Sequence, residues 1–154
     1  MKKGNCYIGI DPGSSSGGIC FMGDDKITTV RFKDQTEIEL IDIFYTQFFR
    51  YKKIYCIIEK VHAFPGQGIS SACKFCSNSG FFRGLVMGMG ISMEEITPQK
   101  WMKSFGMKRA KDESKINYKK RLKQLAQQLY PEVKIVTETA DAVLLAKYCK
   151  QKWT

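Results

Sequence analysis

The chain has 154 residues, which is enough for one domain over 1–154 and too few for two domains with separate cores. Hydrophobic residues make up 44% and charged residues 26%, a composition typical of a soluble globular protein that excludes a disordered one. The 25 Lys and Arg against 15 Asp and Glu leave a net charge of +10, and a small domain this basic usually binds a polyanion such as nucleic acid.

The first part of the chain is predicted to form a sheet with one crossover helix. Apolar runs predict four strands, at 6–10, 18–22, 27–32 and 54–58. Gly23-Asp24-Asp25 predicts a hairpin turn between the second and third of them. The segment 37–49 has an acidic first turn and apolar residues at helical spacing. A crossover helix there would place the fourth strand parallel to the first.

The rest of the chain adds one strand and several helices. The predicted elements are a helix at 69–90, a strand at 91–96, a short helix from Pro98 through Trp101, an amphipathic helix at 112–129, a β-like stretch at 133–136 and a last helix from about Thr139. Together the elements predict an α/β fold with a five-stranded mixed sheet flanked by helices.

The helix at 69–90 differs from an ordinary surface helix. Its apolar residues surround the axis, so we expect it to be buried on most of its sides. Gly80, Gly84 and Gly88 are spaced four apart, which permits another backbone to approach closely. We therefore predict a homodimer with this helix in the interface.

Four acidic residues stand where a charge should be costly. Asp11 and Glu59 each follow an apolar strand, and neighbouring parallel strands would bring them side by side at their carboxyl ends. Glu138 and Asp141 are three residues apart, which predicts that they point from one face of the last helix. Four converging carboxylates need counter-charge. Two divalent cations roughly 4 Å apart would supply it, and such a pair performs in-line phosphoryl displacement.

Each acid also has a purely structural explanation. Asp11 could belong to a turn, and Glu59 could be an ion-paired strand end. Glu138 and Asp141 could be first-turn acids that the helix dipole favours. The stretch 14–18 could alternatively be a phosphate-binding turn of an actin-like or sugar-kinase ATPase, although those proteins need two such domains. Taken jointly, and beside a basic surface, the four acids favour a metal site.

Three motifs carry a resemblance to a known family. Ile8-Gly9-Ile10-Asp11-Pro12-Gly13, Ile57-Ile58-Glu59-Lys60 and Glu138-x-x-Asp141-Ala142 resemble, in register over nearly the whole chain, the RuvC family of Holliday junction resolvases. The resemblance implies a ribonuclease H-like fold and a homodimer that uses Mg²⁺ or Mn²⁺ to nick two strands of a four-way DNA junction, leaving 5′-phosphates. It also implies that Asp11, Glu59, Glu138 and Asp141 bind the metal, and that the helix at 69–90 forms the dimer contact. The small size suggests a bacteriophage-encoded member.

The chain departs from the family's pattern at two places. The family commonly has aspartate where this chain has Glu138, whose extra methylene could change the metal spacing. The family also places an aromatic residue just after the strand-end glutamate, where it stacks on bases at the junction. Here His62 or Phe64 could stack on an unpaired base, and the alternative for Phe64 is a loop aromatic packed on the core.

Positive charge is concentrated in the last third of the chain. Residues 101–154 hold thirteen basic and five acidic side chains, and 100–123 alone holds ten and two. We predict that this segment contacts the DNA backbone through five lysines: Lys108, Lys111, Lys115, Lys119 and Lys123. Lys108, Lys111 or Lys115 could also stabilise charge on the scissile phosphate.

The cysteine pattern fits a reducing compartment. No signal peptide or membrane span is expected, so we place the protein in the cytosol, that of a bacterial host if it is phage-encoded, and expect buried free thiols. Cys73-x-x-Cys76 could be half of a zinc site, but a second pair is missing and His62 is the sole histidine.

The sequence therefore predicts a metal-dependent endonuclease that resolves Holliday junctions and other branched DNA, with two Mg²⁺ ions per active site. Two alternatives remain open: a ribonuclease H-like nuclease acting on forks, flaps or RNA/DNA hybrids, and a junction-binding protein without catalysis.

Overall fold

The computed structural model describes residues 1–13, 16–62 and 65–154. The strands in these ranges are β1 (Lys3–Asp11), β2 (Gly18–Gly23), β3 (Ile27–Arg31), β4 (Tyr51–Glu59) and β5 (Ser92–Ile96). The helices are α1 (Glu37–Arg50), α2 (Ile69–Gly88), α3 (Pro98–Ser104), α4 (Lys115–Leu129) and α5 (Thr137–Trp153), and a 3-10 turn covers Phe32–Asp34.

The strands form a single mixed sheet in the order β3-β2-β1-β4-β5. The meander of β1, β2 and β3 is antiparallel, whereas β4 pairs parallel to β1 and β5 pairs parallel to β4. The two parallel pairings follow from the connections, because a strand reached through a helix returns to the sheet in the same direction. The predicted five-stranded α/β fold is confirmed.

Helices cover both faces of the sheet and create two apolar layers. Successive residues of β1 alternate between them, so Tyr7 packs in the layer with α3, α4 and α5, and Ile8 packs in the layer with α1 and α2. Ile57 and Ile58 of β4 divide in the same way. The central strands are therefore buried on two sides, as expected for strands covered by helices.

Two glycines let α5 lie directly against the sheet. A Cβ on Gly9 would stand 2.2 Å from the carbonyl oxygen of Ala142 and 2.3 Å from the nitrogen of Ala146. A Cβ on Gly18 would stand 2.7 Å from the carbonyl oxygen of Glu138. No side chain fits at either position, and this close packing brings the start of α5 to the carboxyl end of β1.

The prediction of a β-like stretch at 133–136 is wrong, because the structure has no strand there. Ile135 is buried in the layer with α4 and α5, so the apolar character of this stretch serves core packing. Backbone groups of this segment form hydrogen bonds with the Gln127 side chain and not with a neighbouring strand. Its amide donates to the carbonyl of Val133 at 2.9 Å, and its oxygen accepts the backbone N–H of Ile135 at 3.4 Å.

The expected burial of α2 on most sides is wrong for the single chain. Ser79, Phe82 and Val86 are buried, and they lie on one side of the helix. Gly80, Gly84 and Gly88 face open space, because a Cβ on any of them would meet no atom within 4 Å. The apolar character of α2 therefore exceeds what packing within this chain requires.

The cysteines are all free thiols, and four of them are buried as expected. Cys73 and Cys76 on α2 are exposed, which corrects that expectation for this pair. Among the described residues, no helix is both long and apolar enough to cross a membrane.

Candidate active site

Asp11 and Glu59 lie side by side where two parallel strands end. Ile10 of β1 pairs with Ile58 of β4, so the next residue of each strand is an acid at the carboxyl edge of the sheet. Asp11 is 8% exposed, and its Oδ1 accepts the backbone N–H of Gly13 at 3.2 Å. The strand-end position predicted from the sequence is therefore the position found.

Asp141 approaches the same edge from α5. It is 1% exposed, and its Oδ1 is buried without a hydrogen-bond partner. Its Oδ2 forms an ion pair with the Nζ of Lys119, which extends from α4. A buried carboxylate oxygen with no donor is costly in a folded protein, and such an atom commonly marks a ligand position.

The two buried acids, Asp11 and Asp141, interact electrostatically with the half-buried Glu59. Burial raises the pKa of Asp11, and the charge of Asp141 raises it further. Burial likewise raises the pKa of Glu59, with contributions from Asp11 and Asp141. These are the effects expected of carboxylates that share one poorly solvated site.

Lys119 is the cation of this cluster. Burial disfavours its ammonium, but the charges of Asp141, Asp11 and Glu59 outweigh that effect and raise its pKa. Lys119 therefore does not point into solvent, as Lys115 and Lys120 of the same helix do. Its position on α4, one residue after the buried Tyr118, turns it toward the sheet edge. One ammonium cannot neutralise three carboxylates, so the site favours additional positive charge.

Glu59 has a hydrogen-bond partner that the sequence pattern did not indicate. The indole Nε1 of Trp101 in α3 donates a hydrogen bond to Glu59 Oε2 at 2.7 Å. Trp101 is completely buried. The available signal was a single large aromatic within a short helix, but the partner lies 42 residues away along the chain.

Glu138 is not brought into contact with the other three acids. Its Oε1 accepts from the Nζ of Lys33 at 2.7 Å, and this hydrogen bond lowers the pKa of Glu138. Lys33 belongs to the 3-10 turn after β3, 105 residues away, so no local pattern could have indicated the pair. The role of Glu138 as a metal ligand stays a prediction.

The cluster fits a hard divalent cation by its donors. Carboxylate oxygens are the ligands that Mg²⁺ and Mn²⁺ prefer, and the unpartnered Oδ1 of Asp141 is one of them. As it stands, with Lys119 paired to Asp141, no group of three or more His, Cys, Asp or Glu among the described residues is arranged to hold a metal ion. A bound cation would have to draw the carboxylates together.

Of the remaining predicted site residues, the structure describes four lysines and His62. Lys108, Lys111 and Lys115 are exposed, Lys123 is half-buried, and His62 is exposed beyond the end of β4. Phe64 lies outside the described residues. A groove of about 380 Å³ beside Lys119 is lined by residues of three segments: Ser16, Lys115, Ile116, Lys119, Lys120 and Thr137. Its cationic wall is suited to a phosphodiester backbone.

Comparison with known proteins identifies the fold. No protein-family model and no curated protein sequence matches the chain. A solved structure of Thermus thermophilus RuvC in complex with Holliday junction substrate is similar with a TM-score of 0.58 and 13% identity, over 92% of this chain and 90% of that chain. The fold is that of RuvC. A second Thermus thermophilus RuvC structure is similar with a TM-score of 0.53 and 13% identity, at the same coverage. The predicted ribonuclease H-like fold is therefore confirmed.

Proposed function

We propose that the protein is a RuvC-type, metal-dependent endonuclease that resolves four-way DNA junctions. The observation that carries the proposal is the cluster of the buried Asp11 and Asp141 and the half-buried Glu59, at the carboxyl edge of a RuvC-like sheet beside a lysine-lined groove. The similar Thermus thermophilus protein was solved with a Holliday junction substrate. A phage-encoded enzyme acting in the bacterial cytosol is part of the same proposal.

The acids are proposed to hold two divalent cations. Asp11 and Asp141 would bind one, and Glu59 would bind the other together with Glu138. When bound, Mg²⁺ or Mn²⁺ would lower the pKa of a water molecule and would stabilise the negative charge on the departing 3′ oxygen. Lys33 occupies Oε1 of Glu138 at 2.7 Å, so Glu138 would take part through its other carboxylate oxygen or after releasing Lys33.

Lys119 is the lysine best placed to act on the scissile phosphate. Lys108, Lys111 and Lys115 are exposed, whereas Lys119 reaches the carboxylate cluster itself. Asp141 would hold a cation through its carboxylate, and the Lys119 ammonium, which also lines the groove, would be available to donate to a phosphate oxygen there. A lysine ammonium at that point would stabilise the negative charge that develops on the phosphate during cleavage.

The DNA backbone is proposed to follow the basic surface around the groove. Lys108 and Lys111 lie in the connection between α3 and α4, and Lys115 begins α4. These lysines and Lys123 contribute phosphate contacts, which position the DNA without reading its sequence. His62 lies just beyond Glu59 and is the described candidate for stacking on a junction base.

A second copy of the chain is proposed to cover the open face of α2. Ile69 is 83% exposed and Met87 is 55% exposed on this helix. Gly80, Gly84 and Gly88 also lie open, and a glycine inside a helix costs about 1 kcal/mol relative to alanine. Nothing within the single chain offsets that cost, whereas close contact with a symmetry-related α2 would. A homodimer would then present two active sites to two strands.

The test is a cleavage assay on a panel of DNA shapes. The protein should nick four-way junctions in Mg²⁺ in preference to three-way, fork, flap, linear and RNA/DNA hybrid substrates, and Asp11→Asn should bind the junction without nicking it. Preferential cleavage of hybrids, flaps or forks would instead support a broader ribonuclease H-like nuclease. Junction binding with no cleavage in Mg²⁺ or Mn²⁺ would support a binding protein and overturn the enzymatic proposal.

A further inference from the structure

We infer that Trp101 is a positioning residue for Glu59, holding its carboxylate ready for a divalent cation. The inference rests on the proposed function. Its starting point is the 2.7 Å hydrogen bond from the indole Nε1 to Glu59 Oε2, made by one of the largest fully buried side chains in the protein.

The hydrogen bond is held on both sides by the sheet. Glu59 pairs with Ile96, the last residue of β5, and the Lys60 N–H donates to the Ile96 carbonyl at 2.7 Å. Pro98 begins α3 two residues later. The donor and the acceptor are therefore anchored at the ends of adjacent strands, although they are distant in sequence.

The end of α3 and the residue that follows it restrain Trp101. Trp101 packs edge-on against Phe105, with ring centroids 6.4 Å apart, and Ser104 Oγ donates to the Trp101 carbonyl at 2.6 Å. A buried indole in this setting has little freedom to turn. Its N–H keeps one direction, which suits a group that must hold another side chain in place.

An indole N–H is well matched to this task. It is a donor only and carries no charge, so it can hold a carboxylate oxygen without competing with a cation for the site. A free glutamate has three rotatable bonds, and a hydrogen bond to Oε2 limits the positions that its other oxygen can adopt. Residues that orient metal ligands in this way commonly change metal affinity or activity 10- to 100-fold when they are replaced.

Lys119 performs a different task at Asp141. Its ammonium pairs with Oδ2 of Asp141, beside the unpartnered Oδ1 that a metal ion would bind, so its positive charge opposes binding of the ion. Trp101 need not move when the ion binds, because it contacts Glu59 from the buried side of the site. Removal of Lys119 is therefore expected to strengthen metal binding, and removal of the Trp101 hydrogen bond is expected to weaken it.

The test measures Mn²⁺ binding by the full-length protein, from the electron paramagnetic resonance signal of free Mn²⁺. Trp101→Phe should weaken Mn²⁺ binding roughly 10-fold. Trp153→Phe is the matched control, because Trp153 stacks on Tyr55 at 5.3 Å at the far end of α5, and it should bind Mn²⁺ like the parent. In a Glu59→Ala background, Trp101→Phe should change binding less than twofold, since an effect transmitted through Glu59 is lost with Glu59.

A shape-preserving replacement separates the hydrogen bond from packing. In the Trp153→Phe protein, benzothienylalanine at position 101 keeps the fused ring and replaces only the N–H with sulfur. It should weaken Mn²⁺ binding as Trp101→Phe does, lower the single-turnover nicking rate, and leave junction affinity in Ca²⁺ unchanged.

The outcomes distinguish the inference from the function on which it rests. Parent-like Mn²⁺ affinity in the benzothienylalanine protein would assign Trp101 to packing alone and overturn the inference, while the proposed nuclease would stand. A parent protein that binds no Mn²⁺ would overturn the proposed function and the inference with it.

Discussion

At the scale of single residues, the site is governed by three acids that water reaches poorly. Asp11, Glu59 and Asp141 repel one another, and Lys119 offsets only part of their charge. Such a cluster lowers the stability of the metal-free protein and favours cation binding. Removing one of these charges should therefore raise the stability of the metal-free protein and lower its nuclease activity.

Asp11→Asn tests the contribution of one of these charges to nicking and to junction binding. The amide keeps the size of the side chain and can still accept the Gly13 N–H, but it removes one buried charge. We expect nicking to fall by several orders of magnitude. Junction affinity should stay at least equal to that of the parent, because a charge that repels phosphate has gone. Gel-shift and nicking assays on one preparation measure both, and near-parental nicking by folded Asp11→Asn would contradict the metal mechanism.

Stability of the metal-free protein should depend on pH through the same acids. The pKa values of Asp11 and Glu59 are raised by burial, so above the ordinary carboxyl range of about pH 4 the folded chain keeps protons that the unfolded chain releases. The free energy of unfolding should therefore fall as the pH rises through this window. Relative to Asp11→Asn, the parent should lose Tm between pH 5 and pH 8 in chelator. A Tm difference that does not change with pH would argue against the buried cluster.

Lys119 can be compared with its exposed neighbour Lys120. Lys119→Met leaves Asp141 without its ion-pair partner, and should lower the free energy of unfolding by roughly 1–3 kcal/mol at pH 8 and also reduce nicking. Lys120→Met removes the same charge from the surface and should change stability by less than about 0.5 kcal/mol. Denaturant unfolding of the two variants provides the comparison. Equal effects would place Lys119 among the solvated lysines.

At the scale of elements, α4 divides its lysines between two tasks. Lys119 points to the sheet edge, whereas Lys115 is exposed and Lys123 half-buried on the same helix. The helix begins at Lys115, three residues later than the pattern predicts, because the Ser114 hydroxyl caps it by accepting the Asn117 N–H at 3.1 Å.

Neutralising the outer lysines should weaken DNA binding without changing the site. For Lys115→Gln with Lys123→Gln, we expect weaker binding to every DNA shape and a salt dependence flatter by roughly one unit of slope per lost phosphate contact. Nicking of bound junction at saturating protein should remain near that of the parent. Fluorescence anisotropy across a salt series measures the slope, and an unchanged slope would remove these lysines from the interface.

At the scale of the whole molecule, the open face of α2 predicts assembly. Sedimentation at micromolar concentration should show a dimer of the parent protein. Gly84→Glu should yield a folded monomer, since a Cβ there meets no atom of its own chain but a charge would oppose a closely packed partner. Thr46→Glu, on the exposed surface of α1, is the charge-matched control and should remain dimeric. A parent monomer that still makes paired nicks would remove this account of α2.

The sequence by itself determined the fold class and the position of three of the four acids. Alternation and helical spacing are local properties, and an acid at the end of a buried strand stays there however the helices pack. Asp11 and Glu59 therefore lie where the strand pattern put them. Asp141 also faces the site, because Gly9 allows α5 to lie directly on β1.

Only the tertiary structure decided what those acids contact. Glu138 is bonded to Lys33, Lys119 reaches Asp141, and Trp101 holds Glu59, all through contacts between segments distant in the sequence. Local periodicity shows which side of a helix is apolar, but the direction of a long side chain near the edge of that face depends on its partner. Such a partner comes from another element, and its position is settled only when the layers of the fold have packed.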